Sequence, residues 1–508
     1  MPYANRFDQA VAGQYEARER DWRNGAVVYQ VLVDRFAPSA DLDAKRHLYP
    51  APKRLRAWDE RPVKGAYLPD THVWAHEIDF WGGDIASVQS RLDHVQRLGA
   101  DVLYLNPIHA AYTNHKYDAL DHAAVSPEFG RREDVIALAD AVHAGGMKLV
   151  LDGVFNHMGR NAAIFREAAA DPASPYRDWF HFDASLPGGA RSWFRAQNLP
   201  ELNLEHPAVR AHVHADPESV VRRWLREGVD GWRLDVAHDI GFRALEDLTR
   251  SAHAEKADAL IVGEAWNYPR EWFPSLDGIM NFTVREVLLR ALRGQIPAPV
   301  AAAMIQRIVD DAGIEPMLKS WLMLDNHDTV RLATALPDPA ARRLAQVLQF
   351  TLPGAPNLYY GSELGMAGGD DPEMRAPMRW DLATDDNPEL AWTRRLTALR
   401  RAHRALRIGD LRPITASRLL AFERHTDRVA DTVLVLANPS AETVEDHVLV
   451  ANSKLMNAAP MKDLLAGGTA QAVATACVIG VTLPPWGVLL LAPEVAPTQG
   501  YTTYKRVQ

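Results

Sequence analysis

The chain has 508 residues, 47% of them apolar and 24% charged, the balance of an ordinary globular protein. With 56 basic and 65 acidic side chains its formal net charge is −9. A collagen, a coiled coil and a wholly disordered chain are excluded. No dense basic tract is present, which argues against nucleic acid or an anionic membrane as a partner. No apolar run approaches the ~18 residues needed to span a bilayer. Cys477 is the single cysteine, so intramolecular disulfides and multi-cysteine metal sites are impossible. Residues 1–20 lack the apolar core of a secretory leader, and the expected location is the cytoplasm.

Short β-branched runs alternate with longer amphipathic stretches. In chain order, strands are expected at 27–36, 102–108, 148–155 and 231–237, then at 259–266, 278–282, 321–328 and 357–363. Helical periodicity marks 85–98, 131–143, 207–227 and 342–350. Gly99, Gly145-Gly146 and Gly228 punctuate the helix ends. This alternation means parallel strands with helical crossovers, and eight strands favour a closed (β/α)₈ TIM barrel in the α/β class. No GxGxxG or P-loop follows any strand, so a nucleotide site has no support. Residues 158–205 are too long for an ordinary loop and read as an insertion domain after strand three. Beyond about 411 the pattern changes to short strands at 419–424, 432–437, 447–451 and 487–491. The expected organisation is a barrel over 1–157 and 206–410, a C-terminal all-β sandwich domain over 411–497, and a polar tail over 498–508.

Barrel enzymes act at the C-terminal ends of their strands. Strand three ends in Asp152-Gly153-Val154-Phe155-Asn156-His157, strand four contains Arg233-Leu234-Asp235, strand five ends in Glu264-Ala265-Trp266, and strand seven ends in Asn326-His327-Asp328. Arg233 and Asp235 are two apart on a strand and point to one side. A guanidinium so placed orients a carboxylate and keeps it ionised, as a nucleophile requires. A second carboxyl beside such anions is expected to hold a proton, and Glu264 has the reach to protonate a leaving oxygen. Nucleophile plus acid/base is the chemistry of a retaining glycosidase. A strand-end carboxylate is often only a cap or an ion pair, but several on separate strands, one beside an inward arginine, weaken that bland reading.

Four segments carry a resemblance. DGVFNH from Asp152, GWRLDVAHD from Gly231, GEAW from Gly263 and LDNHD from Leu324 resemble, in order and spacing, the signature regions of the α-amylase family, glycoside hydrolase family 13. NHKYD at Asn114, LPELN at Leu199 and the run from Leu352 to Asp381 are similar to the neopullulanase, cyclomaltodextrinase and maltogenic amylase branch. The resemblance implies Asp235 as nucleophile, Glu264 as general acid/base and Asp328 as transition-state stabiliser. It implies Arg233 beside the nucleophile, His157 and His327 on hydroxyls of the cleaved sugar, and Tyr117 stacked beneath it. Asp371 and Arg375 match the pair holding the next sugar on the non-reducing side, and Trp266 is a further candidate on the leaving-group side. The implied substrates are maltooligosaccharides or cyclodextrins cleaved at α-1,4 links. An α-glucan transglycosylase using the same residues is the alternative, and a non-catalytic barrel binding protein is a distant one.

No organic cofactor is implied. Where many family amylases have Lys-His after strand four, this chain has His238-Asp239, a departure at the usual calcium position. A second possible calcium loop consists of Asp41, Asp43, Gly82 and Asp84. The branch usually carries an extra N-terminal domain that builds a dimer. Here the barrel is expected to begin near Val27, so a monomer is expected, its cleft shaped mainly by the insertion and by residues 370–375. His212-Val213-His214 mimics a metal pair, but on a helix these side chains diverge, and surface histidines are expected.

Overall fold

Eight parallel strands close into a barrel: β1 (Val28–Val31), β2 (Val102–Leu105), β3 (Lys148–Gly153), β4 (Gly231–Leu234), β5 (Leu260–Ala265), β6 (Gly278–Asn281), β7 (Trp321–Met323) and β8 (Ala355–Tyr359). Each pairs with its neighbours in sequence, and β1 pairs with both β2 and β8. This computed structural model describes residues 6–467, 469–472, 475–496, 499–502 and 504. Every expected barrel strand is present but shorter than its apolar run. The last residues of each run, such as 235–237 and 324–328, leave the sheet to build the rim.

One face of each strand fills the barrel interior, where Val28, Tyr104, Val150, Val262, Met280 and Trp321 pack together. The other face packs on the helical shell through Tyr29, Leu103, Leu151, Trp232 and Ile279. A strand buried on both faces reads as a continuous apolar run, which made these segments legible. Helices start where capping chemistry allows. Asp338 accepts from the Ala340 amide ahead of Pro339–Thr351, and Asn387 accepts from Glu389 and Leu390 ahead of Pro388–Ala402. The stretch expected as one helix over 207–227 is broken into Pro207–Arg210, a π turn Ala211–Ala215 and Val220–Arg226. Pro217 interrupts the pattern. His214 in that turn is buried beside Ser251, and His212 packs on Trp179 and His122, so these are not the surface histidines expected.

Two excursions rise over the C-terminal rim. The insertion after β3 carries a helix Ala163–Ala170 and a small aromatic core of Phe165, Phe180 and Phe182. A second excursion, between β1 and β2, was not expected as a unit. It has its own buried cluster of Tyr49, Val73, Ile78 and Phe80, and a short hairpin that pairs Tyr67–Leu68 with Val73–Trp74.

The C-terminal domain starts at the strand Asp410–Pro413 and stacks a six-stranded sheet against a two-stranded one around Leu419, Leu434, Val448, Ile479 and Leu491. Arg424 docks it on the barrel by donating to the carbonyls of Thr351, Leu406 and Gly409. Of the expected tail, Thr498, Thr503 and residues 505–508 lie outside the described residues, whereas Tyr504 is buried in the C-terminal core.

Candidate active site

Strand register brings the acidic groups together. Arg233 on β4 lies opposite Asp152 on β3 and Val262 on β5. Its guanidinium is fully buried. Nη1 donates to Asp152 Oδ1 and to Asp235 Oδ1, both at 2.9 Å, and Nη2 lies 2.8 Å from Glu264 Oε2. One cation therefore touches three carboxyl groups from three adjacent strands. The chain turns abruptly after Asp235: Val236 adopts φ 40° and ψ 48°, a left-handed conformation costly for a β-branched residue. That turn aims the Val236 amide at Glu264 Oε2, 3.0 Å away. Trp266 Nε1 donates to the other oxygen, Glu264 Oε1, at 2.8 Å. The indole stacks on Phe282 yet stays 50% exposed, so it faces the cleft rather than the core.

Asp328 closes the group from β7. His327 Nε2 lies 3.0 Å from its Oδ2, and Arg375 Nη2 donates to its Oδ1 at 3.1 Å. Burial pushes Asp328 up, but His327, Arg375 and Arg233 outweigh it and hold the carboxyl below its ordinary range. Asp235 behaves oppositely. Its burial dominates, and although Arg233 pulls down, Glu264, Asp152 and Asp328 add to the upward push, leaving Asp235 well above the usual carboxylate range. The sequence placed an upward push on Glu264; in the structure Glu264 accepts from the Val236 amide and the Trp266 indole, and Arg233 donates to the Asp235 side chain.

Tyr117, His157, Asp371 and Arg375 line the same space, and His327 is buried against Tyr117 and Asp328. Tyr117 donates to Asp152 Oδ2 at 2.9 Å and lies parallel to the His327 ring, 5.4 Å between centroids. Gln30 Nε2 donates to His327 Nδ1, which leaves Nε2 of that ring to carry the proton towards Tyr117 and Asp328. His157 Nε2 donates to the Tyr117 carbonyl, and burial lowers this imidazole to about 4, so it is neutral at physiological pH. Asp371 accepts from His76 Nε2 at 3.1 Å and sits 3.4 Å from Arg375 Nη1. The cleft holding these groups has a volume of about 570 Å³, within the range of small-ligand sites.

Sequence reasoning missed one wall of that cleft: Tyr67, His72, Trp74 and Glu77 come from the excursion after β1, whereas Trp193, Asn198 and Leu199 come from the insertion expected to shape it. The signal was present as the unusually long gap between the first and second strands, with aromatics inside it. His115, within the NHKYD motif, also lines the cleft and was not singled out.

The four residues of the possible calcium loop do not fit an ion as arranged. Asp84 is an N-cap that accepts from the Ser87 amide, and its other oxygen holds the Lys45 ammonium. Asp43 is exposed and paired with Arg46, and the Gly82 carbonyl accepts from the Ser39 amide. Calcium takes ~6–8 oxygens; here an ammonium takes the place at Asp84. Among the described residues no cluster of three or more His, Cys, Asp or Glu is arranged to hold a metal.

An eight-stranded barrel with an acidic, aromatic-walled cleft at its C-terminal rim defines the class of barrel glycoside hydrolases. Residues 30–388 match the alpha amylase catalytic domain. The chain is 35% identical to a cyclomaltodextrinase of Bacillus sp over 433 residues, 82% of this chain and 73% of that protein. It is 33% identical to neopullulanase 2 of Thermoactinomyces vulgaris over 426 residues, 80% of this chain and 68% of that protein. Among solved structures, ligand-free cyclic alpha-maltosyl-(1→6)-maltose hydrolase from Arthrobacter globiformis matches with a TM-score of 0.77 at 30% identity, covering 93% of this chain and 100% of that one. The chain belongs to the α-amylase family and is an α-glucan glycoside hydrolase.

Proposed function

We propose that the protein hydrolyses α-1,4-glucosidic bonds of maltooligosaccharides or cyclodextrins with retention, through a covalent glycosyl-enzyme intermediate. The observation that carries this reading is the single buried guanidinium of Arg233 shared by Asp235 and Glu264, with Asp328 on the same cleft. Asp235 and Glu264 are two carboxyls on one guanidinium, and the proposed reaction needs a single proton on the pair. When the sugar binds, that proton serves from Glu264, which protonates the glycosidic oxygen as the bond breaks. Asp235, left ionised against Arg233, attacks the anomeric carbon. Water then enters, gives its proton to Glu264 and its oxygen to the anomeric carbon, and Asp235 is released. Asp328, kept ionised by its cationic neighbours, faces the positive charge of the oxocarbenium-like transition state.

Tyr117 offers its ring to the sugar being cleaved, His157 lines the cleft beside it, His327 holds Tyr117 and Asp328 in place, and Asp371 with Arg375 hold the next sugar. The names of the similar enzymes, cyclomaltodextrinase among them, support both linear and cyclic substrates. Transfer to a second sugar is the alternative outcome, favoured by one observation: the half-exposed Trp266 beside Glu264 is a platform on which an acceptor can rest in place of water. We propose an active monomer that works in the cytoplasm on short dextrins. No helix among the described residues is long and apolar enough to cross a membrane. Incubation with maltotriose, a cyclodextrin, pullulan and starch, with chromatography of the products, tests the reading. Release of glucose and maltose from the first two supports it, and inertness towards every α-1,4-glucan contradicts it.

A further inference from the structure

Gln30 on β1, Asn106 at the end of β2 and Asn357 on β8 form a chain of buried amides, each at most 1% exposed. Strand register gathers them. Gln30 lies opposite Tyr104, two residues before Asn106, and opposite Tyr359, two residues after Asn357. The Gln30 amide nitrogen has two hydrogens. One goes to Asn106 Oδ1 at 3.0 Å and the other to His327 Nδ1 at 2.8 Å. Its Oε1 accepts from Asn357 Nδ2 at 3.4 Å, and Asn106 Nδ2 donates to the Tyr117 hydroxyl at 3.0 Å.

This chain gives every proton around it a direction. With Nδ1 accepting, the His327 proton sits on Nε2, 2.5 Å from the Tyr117 oxygen and 3.0 Å from Asp328 Oδ2. The Tyr117 oxygen, met by donors from Asn106 and His327, passes its own hydrogen to Asp152 Oδ2 at 2.9 Å. With both amides turned over, the chain fails at two points. The histidine proton moves to Nδ1, and the bare Nε2 lone pair faces the Asp328 carboxylate. The Tyr117 hydrogen moves to Asn106, and its oxygen lone pairs face Asp152. A lone pair set against a buried carboxylate at hydrogen-bond distance is repulsive, and it leaves an acceptor without a donor. The observed order is therefore the one the charges allow.

We propose that Gln30 is a positioning residue for the reaction: fully buried and not part of the cleft lining, it selects the Nε2–H form of His327 and thereby keeps a donor on Asp328. This rests on the role of Asp328 proposed above, since the carboxyl so held is the one that faces the transition-state charge. The same choice fixes the Tyr117 hydroxyl, so one amide on β1 orients groups from the ends of β2, β3 and β7.

The test is nitrogen NMR of enzyme carrying ¹⁵N-imidazole histidine, with the His327 signals assigned by their loss in His327→Asn. At neutral pH the wild type is expected to show Nδ1 bare and Nε2 protonated. Gln30→Glu has the same shape but offers an acceptor to Nδ1, so Nδ1 is expected to become protonated. Its kcat on maltotriose is expected to fall about tenfold with KM unchanged, because the lost donor acts on a carboxyl that works in the transition state. Gln30→Met, which removes the donor without supplying an acceptor, is expected to lose less. A protonated Nδ1 in the wild type, or a bare Nδ1 in folded Gln30→Glu, overturns the assignment. So do equal kinetic losses in the two variants with the His327 signals unmoved, the mark of a packing role alone. Circular dichroism melts report folding, and the wild-type spectrum decides even where a variant does not fold. Inertness of the wild type towards maltotriose overturns the hydrolase reading instead and leaves the proton's position to be read as before.

Discussion

The Val236 amide donates to Glu264 Oε2 at 3.0 Å, so the residue that follows Asp235 holds the carboxyl of the next strand. The left-handed turn at Val236 is what aims this amide, and backbone strain here couples the two carboxyls in position. Glu264 then takes its second oxygen's bond from Trp266.

Glu264→Gln is expected to lower kcat on maltotriose by ~10²–10⁴-fold, the usual contribution of a general acid. Trp266→Phe keeps the stacking on Phe282 but removes the indole donor, and is expected to lose about tenfold. Both losses should shrink on an aryl glycoside whose leaving group departs without a proton. Equal losses on the two substrates would place the acid elsewhere.

Stability should fall on the acid side of neutrality. Burial holds His109 and His157 at about 4, against ~6.5 for free imidazole. Between those values the unfolded chain binds protons that the folded chain does not. The stabilisation is therefore complete above about 6.5 and is lost as pH falls towards 4. His109 stacks on Trp232 at 6.1 Å, and neither of its ring nitrogens has a hydrogen-bond partner among the described residues. His109→Phe should keep that contact and flatten the decline of Tm between pH 6.5 and 4. An identical decline in the variant would contradict the assignment.

Lys45 on Asp84 replaces any need for a cation in the loop after β1. Chelation is expected to leave both Tm and activity unchanged, and added calcium to raise neither. Lys45→Met leaves a buried carboxylate unpaired and should cost several kcal/mol, in the ~3–5 kcal/mol range of a broken buried pair. A calcium-dependent rise in the Tm of the wild type would show that the loop binds the ion after all.

The proposed monomer predicts that activity does not depend on association. Light scattering with kinetics across a hundredfold dilution checks this. The expected outcome is constant kcat per chain with a monomer mass. Specific activity that falls on dilution as a larger species dissociates would contradict it.

The barrel was legible in the sequence because strands buried on both faces stand out as apolar runs, and because Gly99 and Gly228 mark the crossovers. The rim carboxylates were legible because each sits where such a run ends. The hairpin of Tyr67 and Trp74 was not. Two-residue strands carry no measurable periodicity, and an isolated tryptophan reads as core. The donors around Glu264 were hidden for another reason: the Val236 amide reaches it through a left-handed turn and the Trp266 indole from the end of β5, and no spacing rule encodes either. In the possible calcium loop it is Lys45, a residue outside the acidic pattern, that takes up the charge of Asp84.

The central claim is that Asp235 forms the bond to the sugar. Incubation with a 5-fluoro-α-glucosyl fluoride, which slows release more than attack, followed by digestion and peptide mass spectrometry, reads that bond directly. The account predicts one added glycosyl group per chain on the peptide containing Asp235, absent from Asp235→Asn. A glycosyl group on Glu264 or Asp328 instead would contradict it.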